Sequence, residues 1–272
     1  MIINIYDDFD LDKIANCGQC FRAKDIKDGV YRFITKSKVV YIKKIGDNAF
    51  DVSCDSREWA DIWEDYFDLA TDYRKIRSDI SKVSDYFKRV ATIGDGIRIL
   101  KQDPFEALIS FIISQRKSIP SIKTSVERIA ARYGKPLTSN YETVNTFPTL
   151  DDVKAVLPLD LSGCGLAYRS DYIKDAVDRL SGGLIDLEGL HHKNDDELVE
   201  ELKKIRGVGD KVANCVALFA YHRVDRVPVD VWIDRVINED WAGHNLFAKL
   251  THNGGIAQQY IFYAKRFANS NE

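Results

Sequence analysis

The spacing of apolar positions changes near residue 58 of the chain. Over residues 30–54, β-branched and aromatic residues form short runs, which are broken by Ser37-Lys38 and by Gly46-Asp47-Asn48, two segments typical of turns. This part predicts a small antiparallel sheet of at least three strands. In the segments WADIWEDYFDLA and VSDYFKRVATI that follow, apolar residues recur every three or four positions, as they do in amphipathic helices.

The rest of the chain has a helical pattern, and the sheet pattern does not return. Short turns with Gly, Pro or Asn separate the predicted helices 104–115, 118–133, 168–181, 195–205, 211–222, 230–238 and 255–268. Strands followed by helices predict an α+β fold, in which a small N-terminal antiparallel β-sheet domain precedes a mostly α-helical core. We place the boundary near residue 100, which gives domains of residues 1–100 and 101–272.

Two predicted helices meet at a tight turn, Arg206-Gly207-Val208-Gly209, to form a hairpin at about 198–222. Glycines on both sides of one apolar residue allow a sharp turn and a close approach of the backbone to a ligand. The amides of Gly207 and Gly209, with the first free N–H groups of the second helix, would then face an anion such as a phosphate. An ordinary helical hairpin in which the glycines only end a helix has the same pattern, so both interpretations stay open.

Lys211 lies at the start of the second helix, and Asp230 precedes a later helical segment. The positive end of a helix disfavours an ammonium ion, which favours the free amine of Lys211 as a nucleophile. Asp230 is a typical N-cap residue, and a capping carboxylate facing Lys211 would also accept its proton. Most lysines at helix starts are merely solvated. Cys215, one turn after Lys211, shares its face, although a lone cysteine is more often a small buried hydrophobe.

Composition alone does not indicate a nucleic-acid-binding protein. The 272 residues carry a net charge of −3, and neither half of the chain is basic. Five cysteines are an odd number and too sparse for a disulfide framework, which favours reduced thiols in a cytoplasm, and we interpret the Cys17-x-x-Cys20 spacing as incidental. The acidic N-terminus is unlike a secretory signal, and no apolar run approaches ~20 residues. We therefore expect a cytoplasmic protein without membrane association.

Together, four separated motifs resemble one family. The hairpin, its lysine and the later aspartate resemble the helix-hairpin-helix Gly/Pro...Asp superfamily of DNA glycosylases in its bifunctional, lysine-bearing form. Within it, the chain is similar to the 8-oxoguanine DNA glycosylase family, as a bacterial-type member. Gly18-Gln19-Cys20-Phe21-Arg22 resembles that family's Gly-Gln-Ser-Phe-Arg signature, PFEALISFIISQRKSI (104–119) its first core helix, and GLAYRSDYI (165–173) its Gly-Tyr-Arg loop.

The resemblance implies a base excision reaction on duplex DNA that contains 8-oxoguanine. Lys211 would attack the sugar C1′ of a flipped nucleotide, with Asp230 assisting, and the resulting Schiff base would lead to β-elimination. The Gly18 carbonyl would accept the N7–H that 8-oxoguanine has and guanine lacks. Gln258 would read the Watson–Crick edge, and Phe262 and Cys215 would sandwich the base.

The resemblance also implies contacts to the rest of the DNA. Tyr168 would act as a wedge and Arg169 would contact the orphan base, while Arg116 and Lys117 would add positive charge near phosphates. Arg116 stands where animal members carry an Asn that reads the orphan cytosine, and Ser121 where they carry an Arg. We therefore expect a relaxed preference for cytosine opposite the lesion.

No cofactor is expected to be required. The backbone carbonyls of Lys203, Ile205 and Val208 would hold a structural K⁺ or Na⁺ ion, as the resemblance implies, and no iron–sulfur cluster is expected because no cysteine follows Cys215. We expect a monomer. Two alternatives stay open, namely a glycosylase for another damaged base and a non-catalytic helix-hairpin-helix module that only binds DNA.

Overall fold

A computed structural model describes residues 1–267 and places a five-stranded antiparallel sheet at the N-terminal end. The strand order is β1-β5-β4-β3-β2. The strands are β1 (Ile2–Asn4), β2 (Lys24–Lys27), β3 (Val30–Thr35), β4 (Lys38–Lys44) and β5 (Ala49–Val52).

The predicted strands over residues 30–54 are β3, β4 and β5, which pair in chain order. Two edge strands, β1 and β2, were not predicted, because three or four residues are too few to display an alternation of apolar and polar positions. The prediction that no further sheet follows was wrong for the same reason. A second sheet of two short strands, β6 (Pro136–Thr138) and β7 (Thr143–Asn145), lies within the helical part.

Helices make up most of the remaining described residues. They are α1 (Leu11–Asn16), α2 (Ser56–Glu58), α3 (Glu64–Tyr66), α4 (Tyr73–Ser81), α5 (Asp85–Ile93), α6 (Pro104–Ser114), α7 (Ile119–Tyr133), α8 (Leu150–Lys154), α9 (Arg169–Ser181), α10 (Asp195–Lys203), α11 (Asp210–Phe219), α12 (Val231–Arg235) and α13 (Gly254–Phe267). The predicted α+β fold, a sheet followed by a helical core, is confirmed. No helix among residues 1–267 is long and apolar enough to cross a bilayer.

The buried apolar residues form two clusters. One lies between the sheet and the helices that follow it, and contains Phe33, Ile42, Phe50 and Phe67. The other fills the helical core, where α6 packs against α7, α9 and α11. The helices α4 and α5 precede residue 100, yet α5 packs on α13 and both contribute residues to the helical cluster. The domain boundary near residue 100 stays a prediction.

Candidate active site

A cavity of about 680 Å³ opens at one end of the helical core. Its walls come from the loop before β2, the end of α6, and helices α7, α11, α12 and α13. Among the lining residues are the predicted site residues Gly18, Arg116, Lys117, Lys211, Cys215, Asp230, Gln258 and Phe262. Residues that are far apart in the chain therefore meet in one cavity, whereas Tyr168, Arg169, Gly207 and Gly209 lie outside its lining.

The amine of Lys211, a residue in the first turn of α11, donates a hydrogen bond to a neighbouring hydroxyl. Its Nζ donates to Oγ of Ser114 at 3.1 Å and lies 5.4 Å from the centre of the Phe111 ring. Ser114 in turn donates to the Phe111 carbonyl at 2.8 Å. Ser114 was not predicted as a site residue, although it begins the segment SQRKS; its role becomes visible only when α6 is packed against α11.

Asp230 is the N-cap of α12, as its position predicted. Its Oδ1 accepts from the backbone N–H groups of Trp232 and Ile233, both at 3.0 Å. Both capping bonds go to the same oxygen. The carboxylate is therefore fixed at the start of α12, and Oδ2, which makes neither capping bond, can accept a proton or a hydrogen bond.

Two cysteines share the cavity with Lys211 but are poor nucleophiles. Burial raises the pKa of the Cys215 thiol, and the nearby Lys211 ammonium offsets only part of that effect. Burial likewise raises the pKa of Cys17 to about 11, despite a hydrogen bond from Gln19. Because the thiolate is the reactive form, both side chains stay protonated and unreactive near neutral pH.

Gly18 packs directly against the ring of Phe262 in the wall of the cavity. Gly18 has φ +84°, and a Cβ built on it would lie 2.9 Å from Cε1 of Phe262 and 3.2 Å from Cδ1 of Ile119. Only glycine fits this conformation and this contact. Gln258 also lines the cavity, is 4% exposed, and has its Oε1 buried without a hydrogen-bond partner among the described residues. A buried acceptor of this kind is satisfied by a donor from a ligand or from an ordered water.

The predicted hairpin is formed by α10 and α11. Gly207 has φ +82°, and a Cβ there would overlap the ring of Tyr172 on α9. Gly209 has extended backbone and is the N-cap of α11, so no side chain caps that helix. The first N–H groups of α11 consequently have no capping side-chain acceptor, as the anion-binding interpretation requires.

Three long helices begin without a side-chain cap. Among the long helices α4–α7 and α9–α11, side chains cap α4, α5, α6 and α10. No side-chain bond caps α7, α9 or α11, which begin after Ser118, Tyr168 and Gly209. These are the three places where sequence motifs predicted contacts with DNA.

Arg169 and Lys117 join the loops that precede two of these helices. The guanidinium of Arg169 donates to the carbonyls of Gln115 and Leu166 and lies 4.5 Å from the centre of the Tyr168 ring. Lys117 donates to the carbonyl of Gly165 at 2.8 Å. Burial and the nearby Arg169 lower the pKa of Lys117. In this DNA-free structure the side chains of Arg169 and Lys117 thus bind backbone carbonyls. Their contacts with DNA stay predictions.

Two other predicted DNA contacts are exposed. Tyr168 is 46% exposed, as a wedge that enters a duplex must be. Arg116 is also exposed and has φ +49°, a left-handed conformation that is uncommon for residues other than glycine. Such backbone is frequent at binding sites.

Similarity to known proteins assigns the chain first to a superfamily and then to a family within it. Residues 109–249, about half of the chain, match the family described as HhH-GPD superfamily base excision DNA repair protein. The chain belongs to this superfamily. Residues 1–108 match the family described as 8-oxoguanine DNA glycosylase, N-terminal domain.

A solved structure covers nearly the whole chain. It is the Clostridium acetobutylicum 8-oxoguanine glycosylase/lyase in complex with double-stranded DNA containing cytosine opposite 8-oxoguanine. That protein is 36% identical over 99% of this chain and 98% of its own, with a TM-score of 0.91. The chain therefore belongs to the 8-oxoguanine DNA glycosylase family, and the resemblance found in the sequence is confirmed.

Curated relatives match over shorter segments. The probable N-glycosylase/DNA lyase of Methanothermobacter thermautotrophicus is 34% identical over 55% of this chain and 54% of its own length. The N-glycosylase/DNA lyase OGG1 of Arabidopsis thaliana is 31% identical over 72% of this chain and 56% of its own. The matches thus span about half the length of these relatives.

Proposed function

We propose that this chain is a bifunctional DNA glycosylase and AP lyase that removes 8-oxoguanine from duplex DNA. The observation that carries the proposal is the placement of Lys211 and Asp230 in one cavity with Gly18, Gln258 and Phe262. The volume of this cavity, about 680 Å³, is large enough to admit a purine base. An amine nucleophile is the group needed to form a Schiff base with a sugar aldehyde carbon.

The chemistry begins with a nucleotide flipped out of the duplex. The free amine of Lys211 attacks C1′, the N-glycosidic bond breaks, and the base leaves with the bonding electrons and takes up a proton. The negative charge of Asp230 stabilises the cationic sugar while the base leaves, and the carboxylate then accepts the proton that the attached nitrogen loses and passes it to the ring oxygen. Opening of the sugar ring gives the imine, and loss of a C2′ proton then expels the 3′ phosphate.

Selection of the base rests on a small number of hydrogen bonds. The Gly18 carbonyl accepts the N7–H of 8-oxoguanine, and with guanine two acceptors would face each other there. The unpartnered Oε1 of Gln258 accepts from the Watson–Crick edge, where guanine-type bases carry N–H groups. Phe262 and the neutral thiol of Cys215 enclose the ring from its two faces.

The uncapped starts of α7 and α11 support phosphate contacts, whereas the first N–H groups of α9 already donate to the carbonyls of Leu166, Ala167 and Tyr168. A monovalent cation would strengthen the contact at the hairpin. The carbonyls of Lys203, Ile205 and Val208 lie where α10 ends, a region of partial negative charge. Among residues 1–267, the carbonyl of Ile205 accepts from the Val208 N–H alone, at 3.0 Å, and keeps a lone pair. These oxygens suit K⁺ or Na⁺, which would supply positive charge for a DNA phosphate.

The setting we propose is a monomer acting on cytoplasmic DNA. All five cysteines are free thiols, as is usual in a reducing compartment. The residues that the reaction needs come from one copy of the chain.

Excision from duplexes with C, A, G or T opposite 8-oxoguanine tests this function. Arg116 has only donors and can bind an acceptor on any base, so we expect single-turnover rates within about tenfold across the four duplexes. Excision confined to the cytosine duplex would contradict the relaxed preference. Excision of another damaged base alone, or tight binding without excision, would contradict the proposed function.

A further inference from the structure

Two glutamine side chains hold the backbone on either side of Gly18. Nε2 of Gln259 donates to the carbonyl of Cys17. Nε2 of Gln102 donates to the carbonyl of Gln19 at 2.8 Å. Within residues 1–267, the carbonyl of Gly18 between them accepts no hydrogen bond. The carbonyl proposed to read the base is therefore free, and both of its neighbours are fixed.

The side chain of Gln19 holds the same segment through two further hydrogen bonds. It is fully buried, its Nε2 donates to the Arg98 carbonyl at 2.7 Å, and its Oε1 accepts from the Leu100 N–H at 2.8 Å. We call Gln19, Gln102 and Gln259 the carbonyl clamp. With three amide side chains bonded around it, the segment that carries the Gly18 carbonyl cannot shift as a whole without breaking a buried hydrogen bond.

The clamp connects the Gly18 loop to both helices that carry site residues. Gln259 lies on α13, one residue after Gln258 and three before Phe262. The backbone N–H of Gln102 donates to the carbonyl of Phe219 at 2.9 Å, and Phe219 is the last residue of α11, which carries Lys211. The carbonyl clamp thus fixes the position of the Gly18 carbonyl relative to the base contacts on α13 and to the amine of Lys211.

We propose that Gln259 is a positioning residue for base selection, because its amide fixes the Cys17–Gly18 peptide and thereby aims the free Gly18 carbonyl. The inference rests on the proposed function, since that carbonyl selects a base only if the chain acts on 8-oxoguanine. Gln259 is 2% exposed, so an apolar replacement leaves the Cys17 carbonyl buried and unpaired. The peptide then rotates towards another donor and the Gly18 carbonyl moves with it.

Gln259→Met tests the inference, because methionine keeps the length of the side chain and removes the amide. Two single-turnover rates are measured for each variant: excision of 8-oxoguanine and incision at a preformed abasic site, which needs Lys211 but no base. We expect excision to fall about tenfold while incision at the abasic site changes less than about twofold. Gln102→Met, which frees the carbonyl on the other side of Gly18, should shift the ratio of the two rates in the same direction.

Thr146→Val is the matched control. Thr146 is 7% exposed, and its hydroxyl accepts from the Lys135 N–H at 2.9 Å, so valine also removes one buried bond to backbone, but remote from the cavity. Its ratio of rates should equal that of the wild type. If both rates fall together in Gln259→Met, or if the ratio is unchanged, Gln259 has only a structural role. If the wild type does not excise 8-oxoguanine but incises abasic sites, the proposed function fails and this inference with it.

Discussion

At the scale of single residues, the reacting groups are placed by one or two hydrogen bonds each. Ser114 holds the amine of Lys211, and the N-cap of α12 holds the carboxylate of Asp230. The capping role of Asp230 and its proposed chemical role use different properties of the side chain. The cap needs an oxygen acceptor, whereas proton transfer needs the negative charge.

Replacing Asp230 by asparagine separates these two roles. Asparagine keeps an oxygen for the N–H groups of Trp232 and Ile233, so the fold and the affinity for DNA should be retained. Base release in a single turnover should slow about 100-fold, because the group that accepts the proton is lost.

Asp72→Asn is the control for Asp230→Asn. Asp72 caps α4 by accepting from the Lys75 N–H at 2.8 Å and lies outside the cavity lining. Its rates should match those of the wild type. Unchanged rates in Asp230→Asn would remove Asp230 from the mechanism.

Site residues with a local signal could be predicted from the sequence, and those defined by a distant partner could not. Lys211 follows a glycine turn and Asp230 precedes a helix, and both signals lie within a few residues of the side chain. Ser114 and Gln259 act on residues 97 and 242 positions away in the chain. The sequence near Ser114 and Gln259 contains no pattern that predicts those contacts.

At the scale of elements, the hairpin turn depends on two glycines that have different roles. Gly207 has positive φ and packs against Tyr172, whereas Gly209 has extended backbone and no atom within 4 Å of its Cβ position. Only the first is required by the fold. The second keeps the start of α11 open for a ligand.

The two alanine substitutions should therefore behave differently. Gly207→Ala should lower the free energy of unfolding by about 2–4 kcal/mol, because it combines a left-handed backbone with overlap of the Tyr172 ring. Gly209→Ala should lower it by less than about 1 kcal/mol, since its φ and the space around it are compatible with alanine. Urea unfolding measures both. Equal destabilisation would show that the turn is not held as described.

Long helices were predictable to within a few residues, and short or irregular elements were not. The predicted helix 104–115 is α6, and 118–133 is α7 with one residue fewer at its start. The predicted helix 230–238 ends as α-helix at Arg235 and continues as a π-helical turn, Val236–Asp240. Apolar periodicity specifies a long amphipathic face, but it carries no information on strands of three residues such as those of β6 and β7.

At the scale of the whole molecule, the net charge of −3 and the proposed DNA substrate are compatible. Contact with phosphates is assigned to backbone N–H groups at the starts of α7 and α11 and to a few cations, not to a basic surface. Backbone groups bind phosphate without adding net charge. The acidic remainder then disfavours prolonged binding to undamaged DNA.

Few neutralised phosphates imply a weak dependence of DNA affinity on salt. The logarithm of the association constant should fall against the logarithm of salt concentration with a slope no steeper than about −4, because each neutralised phosphate contributes about −0.9. Fluorescence anisotropy of a labelled duplex between low and moderate salt measures this slope. A slope near −8 would contradict this account, because it requires about nine neutralised phosphates.

Borohydride trapping tests the central claim most directly, because reduction converts a Schiff base between lysine and sugar into a stable covalent bond. The wild type and the control Lys249→Gln, which replaces an exposed lysine, should each form a covalent adduct with a duplex that contains 8-oxoguanine. Lys211→Gln should form none while it still binds the duplex. An adduct that persists in Lys211→Gln, or a wild type that binds this DNA but forms no adduct, would contradict the assignment of Lys211 as the nucleophile.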